Sequence, residues 1–358
     1  NGNITAGAGF INNGSITVGF ANFNNMANTE LTNNGSIYFI GGTDEEITKN
    51  ISYSSGSLRT GTFGISSGTF TNNAIIKQST ITVSSLGTLN TSLDNINVEF
   101  ITNNGVVNLT AGTVTDYINN NIILGTGVLN LDINLTTNTA IIRQAEINIL
   151  AGRTFTSDIR LVNASGAITM VSSNTLNLVL TSTNSAVIFY GKINSADESV
   201  LNVDVAEGGI VGFYNTISST GTGNIININS KLCSSSTILL NADMSGFSGS
   251  GKTVNLSSGT LWMGYNSVFF NGVKFNMRGG TTLNLVNGKI DNIAVSSFNL
   301  PDDKVSYLEL GVSLKNKQID NFVGTNNVTG LGTLEISKLY IYDDMKDIHD
   351  TVNVTVAE

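Results

Sequence analysis

Proline is nearly missing from this chain of 358 residues; Pro301 is the only one. Such a chain can place almost every backbone N–H in a sheet, because an internal proline removes a ladder donor. Cysteine is as scarce. The lone Cys233 excludes an internal disulfide and a metal site built on paired cysteines, and between Leu232 and a run of serines it reads as a small buried or half-buried side chain. The lone His349 excludes a site of several histidine ligands and reads as a solvated side chain near the acidic C-terminal end. Charged residues make up 12% of the chain, half of the roughly 25% usual in soluble domains. Their balance, a net charge of −9, opposes nucleic acid and anionic membrane surfaces. No apolar run approaches the ~18 residues that span a bilayer. No stretch shows a 3.6-residue apolar period with a cap and a charged face, so helices are not expected.

What replaces charge is amide: the chain holds 50 asparagines and 38 glycines. Apolar residues still reach 40% in regular spacing, enough to bury a core, which argues against disorder. The organising unit is an apolar-Asn-apolar triplet. It appears as Val107-Asn108-Leu109, Leu129-Asn130-Leu131, Ile147-Asn148-Ile149, Leu176-Asn177-Leu178, Leu201-Asn202-Val203, Ile226-Asn227-Ile228, Val254-Asn255-Leu256 and Leu283-Asn284-Leu285. With Glu in the middle it continues as Leu308-Glu309-Leu310 and Leu334-Glu335-Ile336. From 176 onward the steps are 25, 25, 28, 29, 25 and 26 residues, and before that 22, 18 and 29. Short strands recurring at such intervals are the signature of a solenoid. Asn-Gly pairs at Asn13-Gly14, Asn34-Gly35 and Asn104-Gly105 each lead into a β-branched run and mark corners.

The stretch Leu129-Asn130-Leu131-Asp132-Ile133-Asn134-Leu135 alternates apolar and polar, which puts every aliphatic side chain on one face. Hairpins alternate too, but they do not hold equivalent strands at a constant separation. The pattern predicts an all-β, single right-handed parallel β-helix of about 25 residues per coil, with triplet aliphatics inside and middle asparagines outside. At about 3.3 Å per residue a coil is ~80 Å around, room for three short strands, and about fourteen coils at ~4.8 Å make a rod of ~65 Å. Residues 1–300 are read as coils. Residues 301–358, where 15 of 58 are charged, are read as terminal coils with capping character, since charges blunt an exposed strand edge.

Several short matches could carry chemistry. Gly246-Phe247-Ser248-Gly249-Ser250-Gly251-Lys252-Thr253 fits the P-loop pattern, but Val254-Asn255-Leu256 follows where a helix is needed. Gly64-Ile65-Ser66-Ser67-Gly68 fits the nucleophile-elbow pattern, with only the distant His349 to serve as base. Asp44-Glu45-Glu46 and Asp302-Asp303 are the acidic clusters a polysaccharide-cleaving β-helix could use with Ca²⁺, though such clusters are usually solvated surface. Sequons such as Asn50-Ile51-Ser52 and Asn108-Leu109-Thr110 follow from the asparagine content alone. No catalytic, cofactor-binding or metal-binding residue is assigned, and no concentrated aromatic or arginine hot spot stands out.

Gly259-Thr260-Leu261-Trp262-Met263-Gly264, Phe275-Asn276-Met277 and Leu283-Asn284-Leu285-Val286-Asn287-Gly288-Lys289-Ile290-Asp291 resemble the final coils of autotransporter (type V secreted) passenger domains of Gram-negative bacteria. So do Leu308-Glu309-Leu310, Leu314-Lys315-Asn316-Lys317-Gln318-Ile319-Asp320 and Gly330-Leu331-Gly332-Thr333-Leu334-Glu335-Ile336. The Asn- and Ile-rich style is similar to surface antigens of rickettsia-like bacteria. Phe10-Ile11-Asn12-Asn13, Phe70-Thr71-Asn72-Asn73 and Phe100-Ile101-Thr102-Asn103 resemble the F-x-x-N repeats of chlamydial polymorphic surface proteins, whose companion G-G-A-I is absent.

The resemblance implies a parallel β-helix exported through a C-terminal outer-membrane barrel, acting at the bacterial cell surface as an adhesin or surface-layer component. No barrel follows Glu358 and no signal precedes Asn1, so the expected object is a passenger fragment. Expected partners are neighbouring copies or a host surface protein or glycan, without nucleic acid, and with a membrane only through the missing barrel. The alternative is a polysaccharide-cleaving lyase or hydrolase. For the fold, far-UV circular dichroism is expected to show sheet with almost no helix; a third of the residues helical would refute it. Within it, Leu285→Asp is expected to cost several kcal/mol and Asn284→Asp under about 1.

Overall fold

The computed structural model describes residues 10–19, 30–42, 45–54, 60–229, 235–249, 251–264 and 271–342. Cys233, Asp44, Ser250, the Asp343–Asp347 segment and His349 lie outside the described residues. The chain divides into two units, Asn1–Leu176 and Asn177–Glu358, and the composition boundary at Pro301 falls inside the second. Each is a β-solenoid of parallel strands, and the only helical elements among the described residues are two single 3₁₀ turns, Leu93–Asn95 and Ser245–Phe247. The all-β parallel coil predicted from periodicity is therefore the observed fold, with about 22 residues per turn in place of 25.

In the first unit Val107, Leu129, Ile147 and Ile168 stack in one column and Leu109, Leu131, Ile149 and Met170 in the next. All are buried. The residue between them faces outward, where Asn148 donates to Asn130 (2.8 Å), Asn130 to Asn108 (2.6 Å) and Asn108 to Asn90 (2.5 Å). The ladder steps are 18, 22 and 18 residues, shorter than the expected coil. Three phenylalanines fill the earlier core: Phe39 lies 5.4 Å from Phe63 and 6.1 Å from Phe70, ring centre to ring centre.

In the second unit Asn202 donates to Asn177 (2.7 Å), Asn227 to Asn202 (2.7 Å), Asn255 to Asn227 (2.6 Å) and Asn276 to Asn255 (2.6 Å). The ladder shows that the triplet series merges two columns. Val254-Asn255-Leu256 stacks on Phe275-Asn276-Met277. Leu283-Asn284 stacks instead on Leu261-Trp262 and on Leu308-Glu309, in a different sheet. The first unit shows a similar change: Ile147-Asn148-Ile149 continues onto Ile168-Thr169-Met170, while Thr175, which opens the next triplet, bonds to Arg153. The two steps of 29 residues are thus changes of face and not coil lengths.

The corners carry a feature the periodicity does not show. The asparagine two positions before each corner glycine points inward, and Asn12, Asn33 and Asn103 are all buried. Asn12 and Asn103 accept from the amides of Gly14 (3.0 Å) and Gly105 (3.1 Å). Asn33 donates to buried Gln78 (2.6 Å), 45 residues on, and Asn103 to buried Gln144 (2.7 Å), 41 residues on. Each link passes over an intervening coil. At Gly61, with φ of 87°, a Cβ would lie 2.3 Å from the Gln78 side-chain oxygen and 2.4 Å from the Asn33 carbonyl, so only glycine leaves the passage open.

The described C-terminal strands depart from uniform stacking. Val305–Ser313 pairs in parallel with Thr333–Ile341 and antiparallel with Gln318–Ile319. Pro301 is exposed immediately after strand Asn292–Leu300, where no ladder donor is lost.

Leu285 is buried, as predicted. Asn284 donates to Glu309 (2.6 Å) and accepts from the amide of Val286 (2.8 Å), so Asn284→Asp would set two carboxylates against each other and cost more than the 1 kcal/mol expected from periodicity. Urea unfolding is expected to show a loss of about 4 kcal/mol or more for Leu285→Asp and about 1 kcal/mol for Asn284→Ser. Equal losses would mean the strand is in the wrong register.

Candidate functional site

The short motifs end in structural roles. Gly246 and Phe247 lie in the 3₁₀ turn Ser245–Phe247, and Thr253–Leu256 is a strand. Lys252 is buried: its ammonium donates to the carbonyls of Ser219 (2.9 Å) and Gly246 (3.0 Å) and lies 5.7 Å from the centre of the Phe247 ring. Burial lowers its pKa. The lysine of the P-loop match is an internal brace.

Ser66 lies within the extended strand Thr62–Asn72, and its carbonyl accepts from Ser84 Oγ. This is not a strand-to-helix elbow. Glu46 accepts from Asn73 (2.5 Å). Asp302 caps the amide of Gly279 (2.8 Å) and faces Arg278 at 3.5 Å, while Asp303 is exposed. Ser257, Arg278, Gly279, Asp302 and Lys304 line an open groove of about 370 Å³.

Two carboxylates are sealed inside the second unit, where no acidic cluster was expected. Asp320 accepts from the amides of Asp291 (2.7 Å) and Gly311; Asp291 accepts from Asn287 Nδ2 (2.5 Å) and lies 3.5 Å from Lys289 Nζ. The amide of Asn287 donates to Tyr342 Oη (2.9 Å). The signal in the sequence was a repeated Ile-Asp, Ile290-Asp291 and Ile319-Asp320. Desolvation pushes the Asp320 carboxyl up to about 6 and raises Asp291 as well. With only 3% and 4% of their surfaces exposed, Asp320 clamps backbone and Asp291 is tied to neighbouring side chains, so neither presents a face to a polymer.

The outward positions of strands Ala186–Phe189, Ile210–Phe213, Thr237–Leu240 and Thr260–Met263 form a surface of another kind. In register they set Ile188 beside Gly212, Gly212 beside Leu239 and Leu239 beside Trp262. None of the outward residues on these strands is charged. Tyr190 and Tyr214 follow the first two strands, 60% and 40% exposed, with ring centres 5.9 Å apart. Ile188 is 48% and Trp262 38% exposed, and the indole N–H is fixed on the carbonyl of Val286 (3.0 Å). The sequence shows no concentrated aromatic cluster, and it is the register that places these three exposed aromatic residues on one outward face. Its signal was Val187-Ile188-Phe189-Tyr190 repeated as Val211-Gly212-Phe213-Tyr214, in which Phe189 and Phe213 pack inside at 5.7 Å and the tyrosines turn out. Trp262 joins them only through the register.

The Asp320 shift has a defined sign. A carboxyl raised from 3.8 to about 6 favours the folded state fully below its unfolded pKa, and that contribution is lost as pH rises through 6. The loss is on the order of 3 kcal/mol. Stability measured by denaturant is expected to fall between pH 4 and about 6.5, and Asp320→Asn to flatten that slope. An unchanged slope would show that Asp320 is not the group responsible.

Compared with family models, with curated proteins and with solved structures, the chain gives no match.

Proposed function

We propose that this chain is a non-enzymatic passenger-type domain of a bacterial cell-surface protein, acting by adhesion or as a structural component of the surface. The observation that carries the reading is the uncharged face bearing Tyr190, Tyr214 and Trp262 on a scaffold of amide-laddered coils. Exposed tyrosine and tryptophan on a rigid support are what energetic centres of recognition surfaces consist of. Lys252 and Asp320 work as buried braces, and Asp302 is held by Gly279 and Arg278. Those attachments support binding over catalysis. The resemblance of residues 257–340 to passenger coils supports the cell surface as the site of action, with a neighbouring copy or a host protein or glycan as partner.

Two experiments test this reading. Imaging cells that make the full-length protein is expected to show this segment outside the outer membrane, as a layer or as projections; an intracellular location would overturn it. Purified protein incubated with acidic polysaccharides, with and without Ca²⁺, is expected to give no cleavage products. Turnover that disappears in Asp302→Asn with the fold intact would establish the lyase or hydrolase instead.

A further inference from the structure

We infer that the face carrying Tyr190, Tyr214 and Trp262 is a binding site for an uncharged oligosaccharide, lying across successive coils with its sugar rings against the aromatic rings. This names the ligand class for the adhesive reading above and rests on that reading for its biological setting, although the site itself is testable in solution.

The first argument is the posture of the rings. A Cβ on Gly212 would come within 2.9 Å of the Tyr214 ring, so the missing side chain is what lets that ring fold back over the strand. The Tyr190 ring lies beside it at an angle of 49°. Trp262 is anchored through its N–H to Val286, which restricts the indole while leaving part of it open to solvent. Rings held in place lose little conformational freedom on binding, which favours affinity. The hydrogen-rich face of a pyranose packs against the negative face of an aromatic ring, and its hydroxyls remain free for water and for neighbouring polar side chains.

The second argument is charge. Stacked rings also bind nucleobases, but a base arrives with a phosphate, and single-strand binders surround their rings with a basic groove. Here the outward positions of four successive strands carry no lysine or arginine, and the chain as a whole is at −9. A second copy would bring another −9 to the contact with no complementary charge on this face to offset it. Acidic glycans meet the same repulsion. A neutral glycan does not.

The third argument is spacing. Tyr190 and Tyr214 belong to neighbouring coils, and Trp262 lies two strands beyond Gly212 in the register. Coils stack at about 4.8 Å, comparable to the length of one pyranose unit, so a chain running across the coils meets apolar side chains at a repeat close to its own.

Trp262 is the only tryptophan in the chain, so its fluorescence reports on this face alone. The purified protein would be titrated with neutral β-glucan and chitin oligomers, and with polygalacturonate oligomers as the acidic comparison. A saturable change in emission is expected with at least one neutral series and not with the acidic one. Tyr190→Ala and Tyr214→Ala, which leave the reporter in place, are each expected to weaken binding at least tenfold. Asn202→Ser, on the asparagine ladder, should leave it within twofold. Tyr190 is the more exposed of the tyrosines, so Tyr190→Ala should keep the parent unfolding midpoint and decides the matter if Tyr214→Ala misfolds. No response to any neutral oligomer would overturn the proposal, as would equal weakening by Asn202→Ser or a preference for the acidic series. A change in emission that follows protein concentration without sugar would assign the face to a second copy. Glycan binding without surface location would refute the cellular reading alone, and surface location without glycan binding would refute the site alone.

Discussion

Every coil in this protein depends on the next one to satisfy its backbone. A strand in a parallel solenoid donates and accepts along the axis, and an unpaired edge inside the stack would leave polar groups buried without partners. The sparing use of proline follows directly, with Pro301 placed after a strand has ended. The same demand is met a second time by side chains. Asn90, Asn108, Asn130 and Asn148 pass amide hydrogen bonds along one outer face, and Asn177 through Asn276 do so along another. Asparagine suits this duty because its amide is both donor and acceptor, so identical residues can stack without like-charge repulsion.

Charge is used sparingly for a related reason. A charged residue repeated at each coil would meet its own kind every 4.8 Å or so. Two of the buried charges are fastened to backbone, Lys252 to two carbonyls and Asp320 to two amides, while Asp291 is held by the Asn287 side chain and Lys289. They brace the coils at places where neither aliphatic packing nor an asparagine ladder closes the hydrogen bonds. With ionisable groups so employed, the surface that distinguishes the second unit is neutral and aromatic.

Much of the fold was legible because period-two alternation fixes inside from outside within each strand. Leu129 through Leu135 showed their core face unaided, and Leu285 was correctly placed inside. The inward direction of the corner asparagines is not readable from the sequence, since Asn33 and Asn103 point to glutamines two coils away. A local pattern cannot reveal a partner 45 residues distant. The aromatic face was missed for a similar reason. Tyr190 and Tyr214 follow buried phenylalanines in a repeat visible in the sequence, but Trp262 lies in a different local context and reaches the same surface only by strand register.

By itself, the sequence determined the all-β class, the parallel coil and the inward direction of the aliphatic triplets, because these follow from alternation and from the recurrence of one strand type. The tertiary structure alone decided which triplets share a column, as when Asn255 continues onto Asn276 while Asn284 joins Trp262 and Glu309. It also brought Tyr190, Tyr214 and Trp262 onto one face. The physical reason is that column membership depends on how much chain each corner consumes. Coils of 18 to 30 residues can carry the same triplet on different faces, and only the closed hydrogen bonds between coils select one.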